Sequence, residues 1–171
     1  MNEIPEIPLT GVTPAWRHQV RTSDCAVVRE VATATAFFSP AEVDVAVSLV
    51  EERLSKGEAS GYQFIFAEVD ERPVGYCCFG EIACTVGSYD LYWIVVAPRV
   101  QGCGLGRALL TEAEQCMRSA GCRRVYIETS GRPQYEHTRA FYQRCGYRCE
   151  AVLPDFYALT DDKLIYVKEL F

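Results

Sequence analysis

An α/β fold of the α+β type is what this sequence predicts, with a central mixed but mostly antiparallel sheet of about six to seven strands flanked by helices. Three observations carry that prediction. Tyr62 to Val96 holds three strand-like runs joined by short links, which reads as an antiparallel meander. After Pro98 the pattern alternates helix, strand, helix, strand, strand. Between the two regions a glycine-rich stretch leads from a strand into a helix, so one parallel β-α-β unit belongs in the sheet.

The elements follow in order. Residues 1–24 are rich in proline and polar groups without a sustained period and read as an irregular leader; the domain proper is expected over residues 25–171. Cys25 to Ala32 has the β-branched content of a strand. Ser39-Pro40-Ala41-Glu42 supplies an N-cap, a first-turn proline and a capping-box glutamate, so a helix is predicted from Pro40 to about Lys56, with Val43, Val47, Val50 and Leu54 at helical spacing and Gly57 as its stop. Strands are predicted over Tyr62–Val69, Val74 to about Thr85, and Asp90–Val96, the first two turned by Arg72-Pro73. A helix from about Gly104 to Ala120 carries Leu105, Leu109, Ala113, Cys116 and Met117 on one face and ends at Gly121. Then come a strand at Arg124–Thr129, a helix at about Gln134–Cys145, and strands at Tyr147–Leu153 and Lys163–Leu170.

Composition narrows the function classes. With 171 residues, 49% apolar and 23% charged, the chain is long enough to close around one core. A formal charge of −6 argues against a nonspecific nucleic-acid binder, which needs a basic face to release counterions. No apolar run reaches membrane-spanning length. Glu3, Glu6 and two prolines stand where a signal peptide would carry basic and then apolar residues. The nine cysteines form no C-x-x-C pair and there are two histidines, so no metal site is expected and the thiols are expected to be reduced, in a cytoplasmic protein. A homodimer is compatible with the sequence.

The chemistry lies in Val95-Val96-Ala97-Pro98-Arg99-Val100-Gln101-Gly102-Cys103-Gly104-Leu105-Gly106-Arg107. A glycine-rich turn entering a helix leaves backbone N–H groups at the positive end of the helix dipole, where an anion binds and phosphate is the natural guest. A Walker A loop is excluded because Arg107 and Ala108 follow Gly106, and the dinucleotide fingerprint fails because its third glycine would fall on Arg107 or Leu109. Without a ligand, the glycines would only shorten the link.

Pro98-x-x-Gln101-Gly102-x-Gly104-Leu105-Gly106 resembles the acyl-coenzyme A pyrophosphate loop of the GNAT N-acetyltransferases, whose pattern is Q/R-x-x-G-x-G/A. Ala140-Phe141-Tyr142-Gln143-Arg144-Cys145-Gly146-Tyr147 is similar to the end of that family's last helix. The resemblance implies the GNAT fold, acetyl-CoA as cosubstrate, and direct acetyl transfer to an amine. It implies cofactor contacts from Val95, Val96, Gln101, Gly102, Cys103, Gly104, Leu105, Gly106, Arg107 and Thr138. Tyr142 matches the family tyrosine near the coenzyme sulfur, able to protonate the departing thiolate, though it could instead only pack. Tyr135 stands where the family often has asparagine. Eight of the seventeen Lys and Arg lie between Arg99 and Arg144, which favours an anionic cosubstrate locally.

For the base that takes the amine proton, Glu128 at the end of its strand is the candidate, with Asp90, Asp155 and a water chain competing and His137 an alternative by residue type. Cys103 as a covalent nucleophile does not fit direct transfer. The acceptor is expected to be a small cationic or zwitterionic primary amine, walled by Phe37, Phe38, Tyr62, Phe156 and Tyr157, with Glu58 and Asp155 as carboxylates. Phe37, Tyr62, Asp155 and Tyr157 are the residues expected to touch it, unless these aromatics only close the core. A protein or peptide acceptor and a noncatalytic coenzyme A binding module are the alternatives.

Overall fold

The computed structural model describes residues 13–170. In chain order these form β1 (Ala15–Arg17), α1 (Asp24–Ala34), α2 (Pro40–Lys56), β2 (Gln63–Val69), β3 (Arg72–Glu81), β4 (Ser88–Val96), α3 (Leu105–Ser119), β5 (Arg124–Ser130), α4 (Glu136–Arg144), β6 (Arg148–Ala158) and β7 (Asp161–Glu169). The strands make one mixed sheet in the order β1-β2-β3-β4-β5-β7-β6. β4 and β5 run parallel, as the crossover through α3 requires, while β1 on β2, β7 on β5 and β6 on β7 are antiparallel. The parallel register joins Ser88–Asp90 to Arg124–Tyr126, and both strands continue beyond it, β4 to Val96 and β5 to Ser130. Among the described residues no helix is long and apolar enough to cross a membrane.

The chain divides into two compact units, one of Met1–Cys78 with Trp93–Ala113 and one of Phe79–Tyr92 with Glu114–Phe171. In the first, α1 and α2 lay Val28, Val31, Ala46, Val47 and Val50 on Phe64 and Phe66 of β2 and Val74, Tyr76 and Cys78 of β3. The helix α2 begins as the sequence predicts. Glu42 N–H donates to Ser39 Oγ at 3.3 Å and Ser39 N–H to Glu42 Oε2 at 2.7 Å, and Gly57 caps the far end at φ +61°.

Two expectations for the N-terminal region are corrected. Cys25–Ala32 is not a strand but the body of α1. Its valines suggested β structure, yet the buried positions are Val28, Val31 and Ala32, a helical i, i+3, i+4 set that packs on the core. The leader is not irregular throughout, because Ala15–Arg17 pairs with Phe66–Glu68 as an edge strand. The part of the leader before residue 13 lies outside the described residues.

Arg17 explains why this edge holds. Its guanidinium forks onto both oxygens of Asp24 at 2.9 and 2.8 Å, its Nε donates to Glu68 Oε1 at 2.5 Å, and its plane covers the Phe66 ring at 4.3 Å. Asp24 is 1% exposed. Arg17 is the ion-pair partner of the buried Asp24 carboxylate, so Arg17→Ala strands that charge and should cost about 3–5 kcal/mol. For a chain of this size that lowers Tm by roughly 10 °C, readable in a thermal melt, and an unchanged Tm would show the cluster contributes nothing.

In the second unit β5 buries Val125 and Ile127, and β6 is the outer strand. β6 extends to Ala158, beyond the Leu153 end expected from sequence. Pro154 does not stop it, because an edge strand needs no outward N–H donor and the register with β7 shifts between Leu153 and Ala158. Asp155 takes φ +52° in this irregular part.

Candidate active site

The first unit carries the glycine-rich loop. A 3-10 turn at Pro98–Val100 follows β4 and leads into Gln101–Gly104, after which α3 begins at Leu105. Val100 and Leu105 are buried and anchor the two ends. The Gln101 side-chain amide donates to the Val96 carbonyl at 2.9 Å, and the Cys103 thiol donates to the Val100 carbonyl at 2.8 Å. Gly102 and Gly104 sit at φ +77° and +88°, and a β-carbon at either would meet nothing within 4 Å. The loop therefore needs glycine for its backbone conformation, and the space in front of it is open. The first intrahelical bond of α3 runs from Ala108 N–H to Gly104 O at 3.0 Å, so the helix opens with amides that have no intrahelical acceptor. Such a terminus has the geometry that an anion requires. Val95 is buried and Val96 half-buried on the strand before it. Gly75 of β3 lets that strand approach, since a β-carbon there would lie 3.0 Å from the Val95 carbonyl.

The second unit carries the titratable groups. Tyr142 of α4 is 6% exposed, with its ring 5.4, 6.0 and 6.2 Å from those of Phe141, Tyr147 and Tyr166. Burial, with the nearby Cys145 thiol, pushes its phenol well above the ordinary value, so it is protonated at neutral pH. Glu128 of β5 is half exposed and its Oε2 lies 2.6 Å from Lys163 Nζ; the same ammonium stands 3.9 Å over the Phe156 ring. Asp90 of β4 has its carboxyl pushed up to about 6, first by burial and then by the Glu128 charge, with Lys163 opposing. A carboxyl titrating near neutrality is suited to accept a proton. Thr138 is half-buried on α4, and His137 is exposed. Tyr135 is buried with the Arg132 guanidinium 5.5 Å from its ring.

The residues expected at the acceptor are divided between the units. In the first, Phe37 stacks edge-on with Phe38 at 5.3 Å, Phe38 meets Trp93 of β4 at 5.0 Å, and Tyr62 is half-buried. Glu58 lies in the exposed turn Gly57–Ser60. In the second, Phe156 and Tyr157 are exposed and meet edge-on at 5.1 Å. The Asp155 carboxylate is engaged locally, accepting the Thr160 N–H at 2.6 Å, which makes it a turn former first. Sequence reasoning missed Lys163 and Trp93. Lys163 shares the alternation phase of Ile165 and Val167 in β7, and a lysine in a largely apolar phase was the available signal.

Comparison with known proteins places these observations. The profile of the Acetyltransferase (GNAT) family matches residues 29–147. An uncharacterised N-acetyltransferase of Methanocaldococcus jannaschii is 31% identical over 112 residues, which span 62% of this chain and 65% of that protein. A crystal structure assigned to the GNAT acetyltransferases, from Desulfovibrio desulfuricans, superposes at a TM-score of 0.91 with 49% identity, covering 93% of this chain and all of the other. A Salmonella typhimurium protein solved with its cofactor acetyl-CoA shares the fold at a TM-score of 0.71 and 19% identity, over 94% of this chain and 95% of that one. With its loop, its mixed sheet and the matched residues in agreement, the chain belongs to the GNAT acetyltransferase family.

Proposed function

We propose that this chain moves an acetyl group directly from acetyl-CoA to the primary amine of a small molecule. The observation that carries the reading is the open loop Gln101–Gly106 at the N-terminus of α3, whose two left-handed glycines suit close approach of a pyrophosphate. Leu105, Gly106 and Arg107 open the helix there, and the main chain of Val95 and Val96 is the proposed contact for the pantetheine arm. In the reaction the amine nitrogen bonds to the thioester carbonyl carbon and the carbon–sulfur bond breaks. The proton leaving the nitrogen goes to a carboxylate, and the departing coenzyme thiolate takes one from the Tyr142 hydroxyl. Asp90 suits the carboxylate role better than Glu128, whose charge instead raises the basicity of Asp90 while Lys163 holds it in place.

A base must be deprotonated to work, so kcat/KM should fall as pH drops through about 6 and reach a plateau above it. Asp90→Asn should remove that limb and most of the turnover. Glu128→Gln should move it to lower pH, because a neighbouring negative charge is gone. A pH-rate profile checks both, and an intact limb in Asp90→Asn would assign the base elsewhere.

Phe37 and Tyr62 of the first unit are the proposed acceptor contacts, since aromatic faces suit an ammonium group. Screening amino acids, polyamines and aminoglycosides for acetyl-CoA consumption tests the small-amine reading. Peptides outcompeting every small amine would assign a protein acceptor, and no turnover with any amine would leave a binding module.

A further inference from the structure

We propose that Glu114 and Tyr147 are positioning residues that hold the Tyr142 phenol in place through the C-terminal cap of α4; the proposal rests on the acid role given to Tyr142 above. Tyr142 lies in the last turn of a short helix, Glu136–Arg144, so its placement depends on how that helix ends. The end is closed by Tyr147. Its N–H donates to the carbonyl of Tyr142 itself at 3.0 Å, after Gly146 turns the chain at φ +91° and donates to Gln143 O at 3.0 Å. Tyr147 is in turn tied down from outside the helix. Its hydroxyl donates to Glu114 Oε1 at 3.0 Å, and the other carboxylate oxygen takes Lys168 Nζ of β7 at 2.7 Å. Glu114 is 7% and Tyr147 2% exposed, so both are held in a low-dielectric setting.

The arrangement is more specific than packing needs. A phenylalanine would fill the ring site of Tyr147, and an apolar residue at Glu114 would avoid desolvating a carboxylate. What the polar set adds is direction, because a hydroxyl tied to one carboxylate oxygen sets both the Tyr147 ring and the backbone bond it makes to Tyr142. Gly146 belongs to the same device through its backbone conformation at φ +91°, which other residues rarely adopt.

The test is a double-mutant cycle on kcat with the full chain and its best amine, assayed well below each variant's Tm. Tyr147→Phe and Glu114→Leu, each of which removes the hydroxyl–carboxylate bond, should each lower kcat by about tenfold or more while the KM for acetyl-CoA stays near wild type. In a Tyr142→Phe background each should have almost no further effect on kcat, since the group being positioned is already gone. A purely structural role predicts the opposite, losses that multiply. Multiplying losses, or both single variants at wild-type kcat beside a slow Tyr142→Phe, overturn the positioning role and leave the acid role standing. A Tyr142→Phe enzyme at wild-type rate overturns both. Should Tyr147→Phe fail to fold, Glu114→Leu carries the same cycle alone.

Discussion

A Gly104→Val protein is expected to fold and to lose measurable affinity for acetyl-CoA. Gly104 sits at φ +88°, and nothing in the protein occupies the space a β-carbon would enter. Valine therefore costs backbone strain of about 1–3 kcal/mol, which a typical domain survives, and its branches project into the open space proposed for the pyrophosphate. Displacing the phosphate from the helix terminus removes hydrogen bonds to a charged acceptor, each worth about 1.5–3 kcal/mol. Losing two of them weakens binding by roughly 10²–10⁴-fold. Gly104→Ala, with the same strain and a smaller side chain, should lie between the two proteins. Calorimetry on samples whose thermal melts confirm folding decides the matter, and wild-type affinity in folded Gly104→Val would remove the loop from the donor site.

Tyr142→Phe should leave the protein folded, bind acetyl-CoA normally and turn over about 10²–10⁴-fold more slowly, the usual contribution of a general acid. The ring packs against Phe141, Tyr147 and Tyr166, and all of that contact survives the change. Only the hydroxyl is lost. Burial holds its proton on at every pH an assay would use, so the wild-type group is always in the donating form. Steady-state kinetics with both substrates varied separates the outcomes. Turnover within about twofold of wild type would make Tyr142 a packing residue, because a rate effect that small is below what proton donation supplies.

Features with local causes were legible in the amino-acid order. Ser39 and Glu42 cap α2 because the two residues need only each other, and the run from Gln101 to Gly106 reads as a glycine turn entering a helix because glycine conformation and a helix start are properties of adjacent residues. The β-α-β unit was legible too, since its helix separates two strand patterns and its handedness rule is general. Tertiary structure decided what depends on residues far apart in the chain. Cys25–Ala32 became helical because Val28, Val31 and Ala32 find a core to fill and Asp24 finds Arg17, and neither partner is visible in the local valine content. Pro154 stays within β6 because the strand is the outermost one, a fact of sheet order. The same holds for the chemistry: Asp90, Glu128 and Lys163 come from three different strands, and the basicity of Asp90 is set by burial and by two charges that only folding brings near it.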